Sequence, residues 1–180
     1  MHQLIPALFL LGVLACCNAG EEDPAISPQA IPADSTDTVT PRARISIDSK
    51  DQSPENIVAY ARTLIGVPYQ YGSTDPAIGF DCSGFITHVF NHFNITVPRS
   101  SIDFTNVGQE VDRVEAATGD LILFTGTDTL ETAVGHMGIV TENTDSLRFI
   151  HSTSGKKYGV TITALNEYYL KRFVKVIRIF

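Results

Sequence analysis

The chain has 180 residues, 43% of them hydrophobic and 18% charged, a composition in the ordinary globular range and a length that suits one domain with extra segments. Its 13 Lys and Arg against 20 Asp and Glu leave a net charge of −7, and the basic doublets are confined to Lys156-Lys157 and Lys171-Arg172. Nucleic acid is therefore not an expected partner, because phosphate binding needs concentrated positive charge.

Leu4 to Ala15 form an apolar run too short to span a bilayer as a mature helix, which marks an export signal, although the preceding Met1-His2-Gln3 carries no Lys or Arg. Val13-Leu14-Ala15-Cys16 resembles a bacterial lipobox, in which the cysteine is acylated and becomes the new N-terminus. Leu14-Ala15-Cys16-Cys17 is the competing register, so Cys16, or alternatively Cys17, is the candidate lipidation site. Cleavage after Ala19 and an uncleaved apolar anchor remain alternatives. Beyond the junction, Pro, Ser, Thr, Asp and Ala dominate to about Asp51, too few large apolar residues to offset the entropy of ordering, so a flexible tether is expected. The expected organisation is a lipoprotein-type signal over 1–15, a tether over 16–51 and a globular domain over 52–180. This places the protein in the cell envelope, held to the membrane by an N-terminal lipid, with a monomer as the default state.

Ser53-Pro54-Glu55-Asn56 reads as an N-cap with Pro at the first helical position, and Ile57, Val58, Tyr60, Ala61, Leu64 and Ile65 follow at helical spacing until Gly66-Val67-Pro68. Gly72 to Gly79 is a polar loop that delivers the chain to Asp81 and Cys82. Phe85, Ile86, Val89, Phe90 and Phe93 then share one face of a second helix ending at Asn91 to Asn94. Residues 98–108 carry only a weak helical pattern. From Leu121 the signal is β: 121–124, 136–140, 147–151, 159–162 and 174–179 are short apolar or alternating runs, and Asn143-Thr144-Asp145-Ser146 has hairpin chemistry. Helices followed by strands predict an α+β fold with a mostly antiparallel sheet of five to six strands.

Of 3 cysteines, two lie in the signal junction, leaving Cys82 without an intradomain disulfide partner. A thiol at a helix N-terminus meets unpaired N–H groups and the positive end of the helix dipole, which favour the thiolate. The bland alternative is a small buried hydrophobe. His136 opens one strand of the expected hairpin and His151 closes the other, so both imidazoles belong to the same end of the sheet. Thiol, base and a third polar group that orients the base form a nucleophilic constellation, with Cys82, His136 and His151 in those roles. His88 and His92 stand four apart on the second helix but lack a third ligand of matching spacing, so a solvated face is expected rather than a metal site, and no cofactor is implied.

Six segments between about Ser53 and the C-terminus, taken together, are similar to the NlpC-type cell-wall cysteine peptidases, a papain-like family. They are Gly66-Val67-Pro68-Tyr69-Gln70-Tyr71-Gly72, Phe80-Asp81-Cys82-Ser83-Gly84-Phe85, Val97-Pro98-Arg99-Ser100-Ser101, Gly119-Asp120-Leu121-Ile122, Gly135-His136-Met137-Gly138-Ile139-Val140 and Phe149-Ile150-His151-Ser152. The resemblance implies Cys82 as nucleophile, His136 as general base and His151 as orienting residue. It implies Tyr69 near the oxyanion, and Asp81 and Ser83 as substrate contacts. The implied reaction is hydrolysis of the amide between γ-D-glutamate and a diamino acid in peptidoglycan stem peptides. A related amidase or acyltransferase using the same Cys-His pair is one alternative, and a catalytically silent envelope-binding lipoprotein another. Gly72-Ser73 departs from the usual Gly-Gly, and Thr125 to Val134 is a long polar loop on the approach to His136.

Overall fold

The computed structural model describes residues 44–128 and 132–180. The expected signal, the lipidation candidates Cys16 and Cys17, and the tether as far as residue 43 lie outside the described residues. Among the described residues no helix is long and apolar enough to cross a membrane.

Helix α1 (Pro54–Thr63) starts as its sequence dictates: the Ser53 hydroxyl accepts the Asn56 N–H at 3.3 Å, and Pro54 occupies the first turn, where its missing N–H costs nothing. Its apolar stripe of Ile57, Val58 and Ala61 is buried. The chain then makes a minimal antiparallel pair, β1 (Thr74–Asp75) with β2 (Gly79–Phe80), and enters α2 (Cys82–His92). Phe85, Ile86, Val89 and Phe90 bury the face of α2 that the periodicity indicated. Where a weak helix was expected, Ser101–Asn106 forms a 3-10 turn.

The sheet has six strands, β3 (Gln109–Val111), β4 (Leu121–Thr125), β5 (Val134–Asn143), β6 (Leu147–Thr153), β7 (Gly159–Ala164) and β8 (Phe173–Arg178), with the short helix α3 (Glu167–Leu170) before β8. Its order is β3-β8-β4-β5-β6-β7, and every pairing is antiparallel. The α+β architecture read from the sequence is therefore the one observed. One face packs on the helices through Leu121, Leu123, Met137, Ile139, Ile150 and Ile177. The other carries Ile122, Phe124, Val140, Phe149 and Val176 beneath Tyr169 of α3. Successive residues of β4 thus serve opposite cores, and so this strand reads as a continuous apolar run rather than an alternating one.

Two features differ from the expectation. Ile45 bridges Val107 and its N–H donates to the Asn106 carbonyl at 2.8 Å, while Ile47 packs on the core. Residues ahead of position 52 thus contact the domain, Ile45 through its backbone and Ile47 through its side chain. The β5–β6 hairpin also holds an extra residue. Asn143 pairs Leu147 and Glu142 pairs Arg148, but Val140 pairs Phe149 and Ile139 pairs Ile150, so Thr141 is a bulge. Without it His136 would lie opposite residue 154 and face away from His151. With it, the register continued from the Ile139–Ile150 pair would set His136 opposite residue 153, two positions along from His151 and on the same face.

Helix α2 approaches the β1 loop so closely that a Cβ at Gly84 would overlap the Ser73 carbonyl oxygen. Gly84→Ala is expected to cost about 2–3 kcal/mol, the range for overpacking a backbone contact that cannot yield, read as a lower urea midpoint at unchanged m-value.

Candidate active site

Cys82 is the first residue of α2, and the residue that caps the helix, Asp81, does most to hold it there. One carboxylate oxygen of Asp81 accepts the Gly84 N–H; the other accepts the Gly72 N–H at 2.8 Å. Arg99 completes the set, donating from Nη2 to Asp81 Oδ2 at 2.8 Å, and from Nη1 to Asp81 Oδ1 at 3.1 Å and Ser83 Oγ at 3.0 Å. This fork-to-fork geometry fixes the carboxylate in its plane. From the other side, the Ser152 hydroxyl donates to the Phe80 carbonyl at 2.7 Å, tying β6 to the turn that carries the thiol. The backbone of Tyr69 bridges Phe80, which ties its loop to the same turn.

The Cys82 sulfur lies 3.9 Å from the Gly135 carbonyl oxygen, and the Met137 N–H also faces it. These are the two neighbours of His136 on β5. The thiol thus meets the stretch of β5 beyond the Ile139–Ile150 pair, where the ladder to β6 has ended. The rings of His136 and His151 stand 5.0 Å apart between centroids at 78°, with His136 Nε2 and His151 Nδ1 joined at 2.8 Å. His151 Nε2 continues to Thr163 Oγ1 at 2.9 Å. Phe124, Phe149 and Tyr169 wall this pair, the Tyr169 ring stacking on His136 and standing edge-on to His151.

Burial governs the charge states. It pushes the Cys82 thiol up to about 11, reinforced by the Asp81 carboxylate and opposed by the N–H groups of Ser83, Met137 and Cys82 itself. Burial, then His151 and Arg172, hold His136 well below the usual histidine range, and burial and Arg172 lower His151 as well. These shifts favour a neutral thiol and neutral imidazoles at neutral pH. The helix N-terminus does favour the thiolate, as the sequence suggested, but desolvation outweighs it here.

A cleft of about 430 Å³ opens on the sulfur, lined by Tyr69, Tyr71, Asp81, Ser83, Arg99 and Gly135 among others. The structure therefore brings Cys82 to β5, whose His136 is hydrogen-bonded to His151 of β6, and sets Tyr69, Asp81 and Ser83 around the opening. The polar atoms of Asp81 and Ser83 are engaged with Arg99 and backbone. His88 and His92 lie apart from the cleft, the first bonded to the Tyr60 hydroxyl at 3.1 Å and the second stacked on the Tyr60 ring. Among the described residues no group of three or more His, Cys, Asp or Glu side chains is placed to hold a metal ion. Arg99 and Thr163 belong to the site without having been singled out in the sequence. Arg99 had a signal in Val97-Pro98-Arg99, an invariantly charged side chain after a rigid turn, whereas Thr163 looks like any other threonine of an alternating strand.

Comparison with known proteins adds a lineage to this geometry. The profile of the NlpC/P60 family matches residues 66–178. The chain is 37% identical over 125 residues to a gamma-DL-glutamyl hydrolase of Bacillus subtilis, covering 69% of this chain but only 29% of that protein. It is 29% identical over 175 residues to a murein DD-endopeptidase/LD-carboxypeptidase of Escherichia coli, covering 93% of this chain and 86% of that one. Among solved structures, a Staphylococcus aureus protein described as similar to lipoprotein, NLP/P60 family, superposes with a TM-score of 0.62 at 30% identity, over 78% of this chain and 45% of its own.

Proposed function

The chain belongs to the NlpC/P60 family and is a cysteine peptidase of that family, and from this we propose that it hydrolyses the γ-D-glutamyl to diamino acid amide of peptidoglycan stem peptides. The observation that carries the proposal is Cys82, which lines an open cleft and sets its sulfur against the backbone on both sides of His136, itself hydrogen-bonded to His151. The half-exposed Arg99 guanidinium at the cleft wall suits the α-carboxylate that a γ-linked glutamate leaves free.

With Nε2 of His136 engaged by His151, Nδ1 is the nitrogen left for the thiol. Cys82 attacks the γ-carbonyl carbon as its proton passes to Nδ1, so deprotonation accompanies C–S bond formation rather than preceding it. Backbone N–H groups at the start of α2 and the Tyr69 hydroxyl stabilise the oxyanion. Collapse breaks the C–N bond, and His136 returns the proton to the departing amine. Water, deprotonated by His136, then hydrolyses the thioester and frees Cys82. Export by the 1–15 signal, an acyl group on Cys16 (or Cys17) and the tether ahead of the 52–180 peptidase domain would hold this chemistry at the envelope, facing its polymeric substrate.

Digestion of defined tetrapeptide stems, followed by mass spectrometry, tests the assignment. The expected products are L-Ala-γ-D-Glu and the diamino-acid-led dipeptide, with an α-linked glutamyl isomer left intact. Cleavage of the α isomer alone, or of neither, would refute it.

A further inference from the structure

We propose that Thr163 is a positioning residue of the reaction: its hydroxyl is the terminal acceptor that sets the direction of the hydrogen-bond chain from His136 through His151, and so keeps Nδ1 of His136 free to take the thiol proton. The proposal rests on Cys82 and His136 acting as nucleophile and base.

The argument is one of proton counting. Four polar atoms form the chain, His136 Nε2 with His151 Nδ1 at 2.8 Å and His151 Nε2 with Thr163 Oγ1 at 2.9 Å. Neutral imidazole carries one N–H, so the chain runs in one of two directions. In the first, His136 donates from Nε2 to His151 Nδ1, and His151 donates from Nε2 to Thr163; His136 Nδ1 then holds a lone pair. In the second, Thr163 donates to His151 Nε2, His151 donates from Nδ1 to His136 Nε2, and His136 Nδ1 carries the hydrogen. Only the first leaves a basic nitrogen free on His136. It is also the only one that survives the proton transfer, because an imidazolium at His136 donates from both nitrogens and cannot meet a donating His151 Nδ1–H.

The end of the chain therefore decides whether His136 is competent. His151 has no exposed surface, so bulk solvent does not reach the ring to serve as the acceptor. Without the hydroxyl, the Nε2–H of His151 would be a buried unpaired donor, which favours the opposite tautomer. A threonine suits this place because it accepts without bringing a charge toward a pair held neutral by its surroundings.

Nitrogen-15 NMR of the histidine rings at neutral pH is the direct test, made on the full chain without substrate. The expected result is protonation of His151 at Nε2; protonation at Nδ1 overturns the proposal with no variant needed. Thr163→Val keeps the shape of a β-branched strand residue and removes the acceptor. It is expected to shift His151 toward the Nδ1–H form and to lower kcat by about tenfold to a hundredfold, the range seen when a histidine loses its orienting partner, with KM unchanged. Thr163→Ser should recover kcat to within about threefold. A valine variant with wild-type kcat and tautomer would also overturn it. If the wild type cleaves no stem peptide while His151 remains Nε2-protonated, the substrate assignment fails and the hydrogen-bond chain stands.

Discussion

Replacing Cys82 by alanine is expected to lower kcat/KM on stem peptides by at least about 10⁴-fold, the scale on which removal of a nucleophile is felt, while thermal unfolding stays near the wild-type midpoint. The loss should be this lopsided because the sulfur makes only backbone contacts, such as 3.9 Å to the Gly135 carbonyl, whereas the surrounding turn is held by Asp81, Ser152 and Tyr69. The wild-type thiol has its own signature. Because burial and Asp81 push it up to about 11, alkylation by iodoacetamide should be slow at neutral pH and rise steadily through the alkaline range. A thiolate already formed at pH 7 would show that attack starts from an ion pair instead. On the acid side, His136 and His151 titrate below the ordinary value of 6.5, so kcat/KM should hold its plateau as the pH falls past that value. A profile that breaks at 6.5 would mean the pair is hydrated in solution.

Asp81→Ala is expected to be the most damaging single change to stability, about 3 kcal/mol, or a fall of about 10 °C in Tm for a domain of this size. The carboxylate is 7% exposed and accepts from Gly72, Gly84, Ser83 and Arg99 at once. Its loss removes the cap of α2, orphans two backbone donors and releases Arg99 from its fork. Asp81→Asn separates structure from charge. It keeps an acceptor for the cap, so about half the destabilisation is expected. It also deletes the negative charge that raises Cys82, so the alkylation curve should move to lower pH. Calorimetry and the alkylation profile read the two effects independently. A stable Asp81→Ala protein with impaired binding would make the residue a substrate contact first.

Much of this was legible in advance because the signals are local. Ser53-Pro54 announces α1, the apolar stripe from Phe85 to Phe90 announces α2, and the alternation of Val174 to Ile179 announces β8. The nearness of His136 to His151 was legible because the two flank one expected hairpin, and the place of Cys82 because a polar loop runs straight into a helical apolar stripe there. The missing parts depend on partners distant in the chain. β3 is short and half-exposed, and only the edge of β8 makes it a strand. Ile45 and Ile47 sit in a polar stretch and are ordered by Val107 and the core beyond it. Asp81 and Ser83 were readable as neighbours of the thiol, but their commitment to Arg99 depends on a contact across 18 residues. The Thr141 bulge is invisible to pattern, since a turn at Asn143 to Ser146 is compatible with either register.

That bulge imposes a parity rule on the hairpin. Adding or losing a single residue within the paired stretches of β5 or β6 between His136 and His151 turns one imidazole to the opposite side of the sheet, whereas a change of two restores their company with altered spacing. Insertions that preserve this chemistry must therefore come in even steps within the strands, or be confined to the turn beyond Asn143, where added length leaves the paired residues in place.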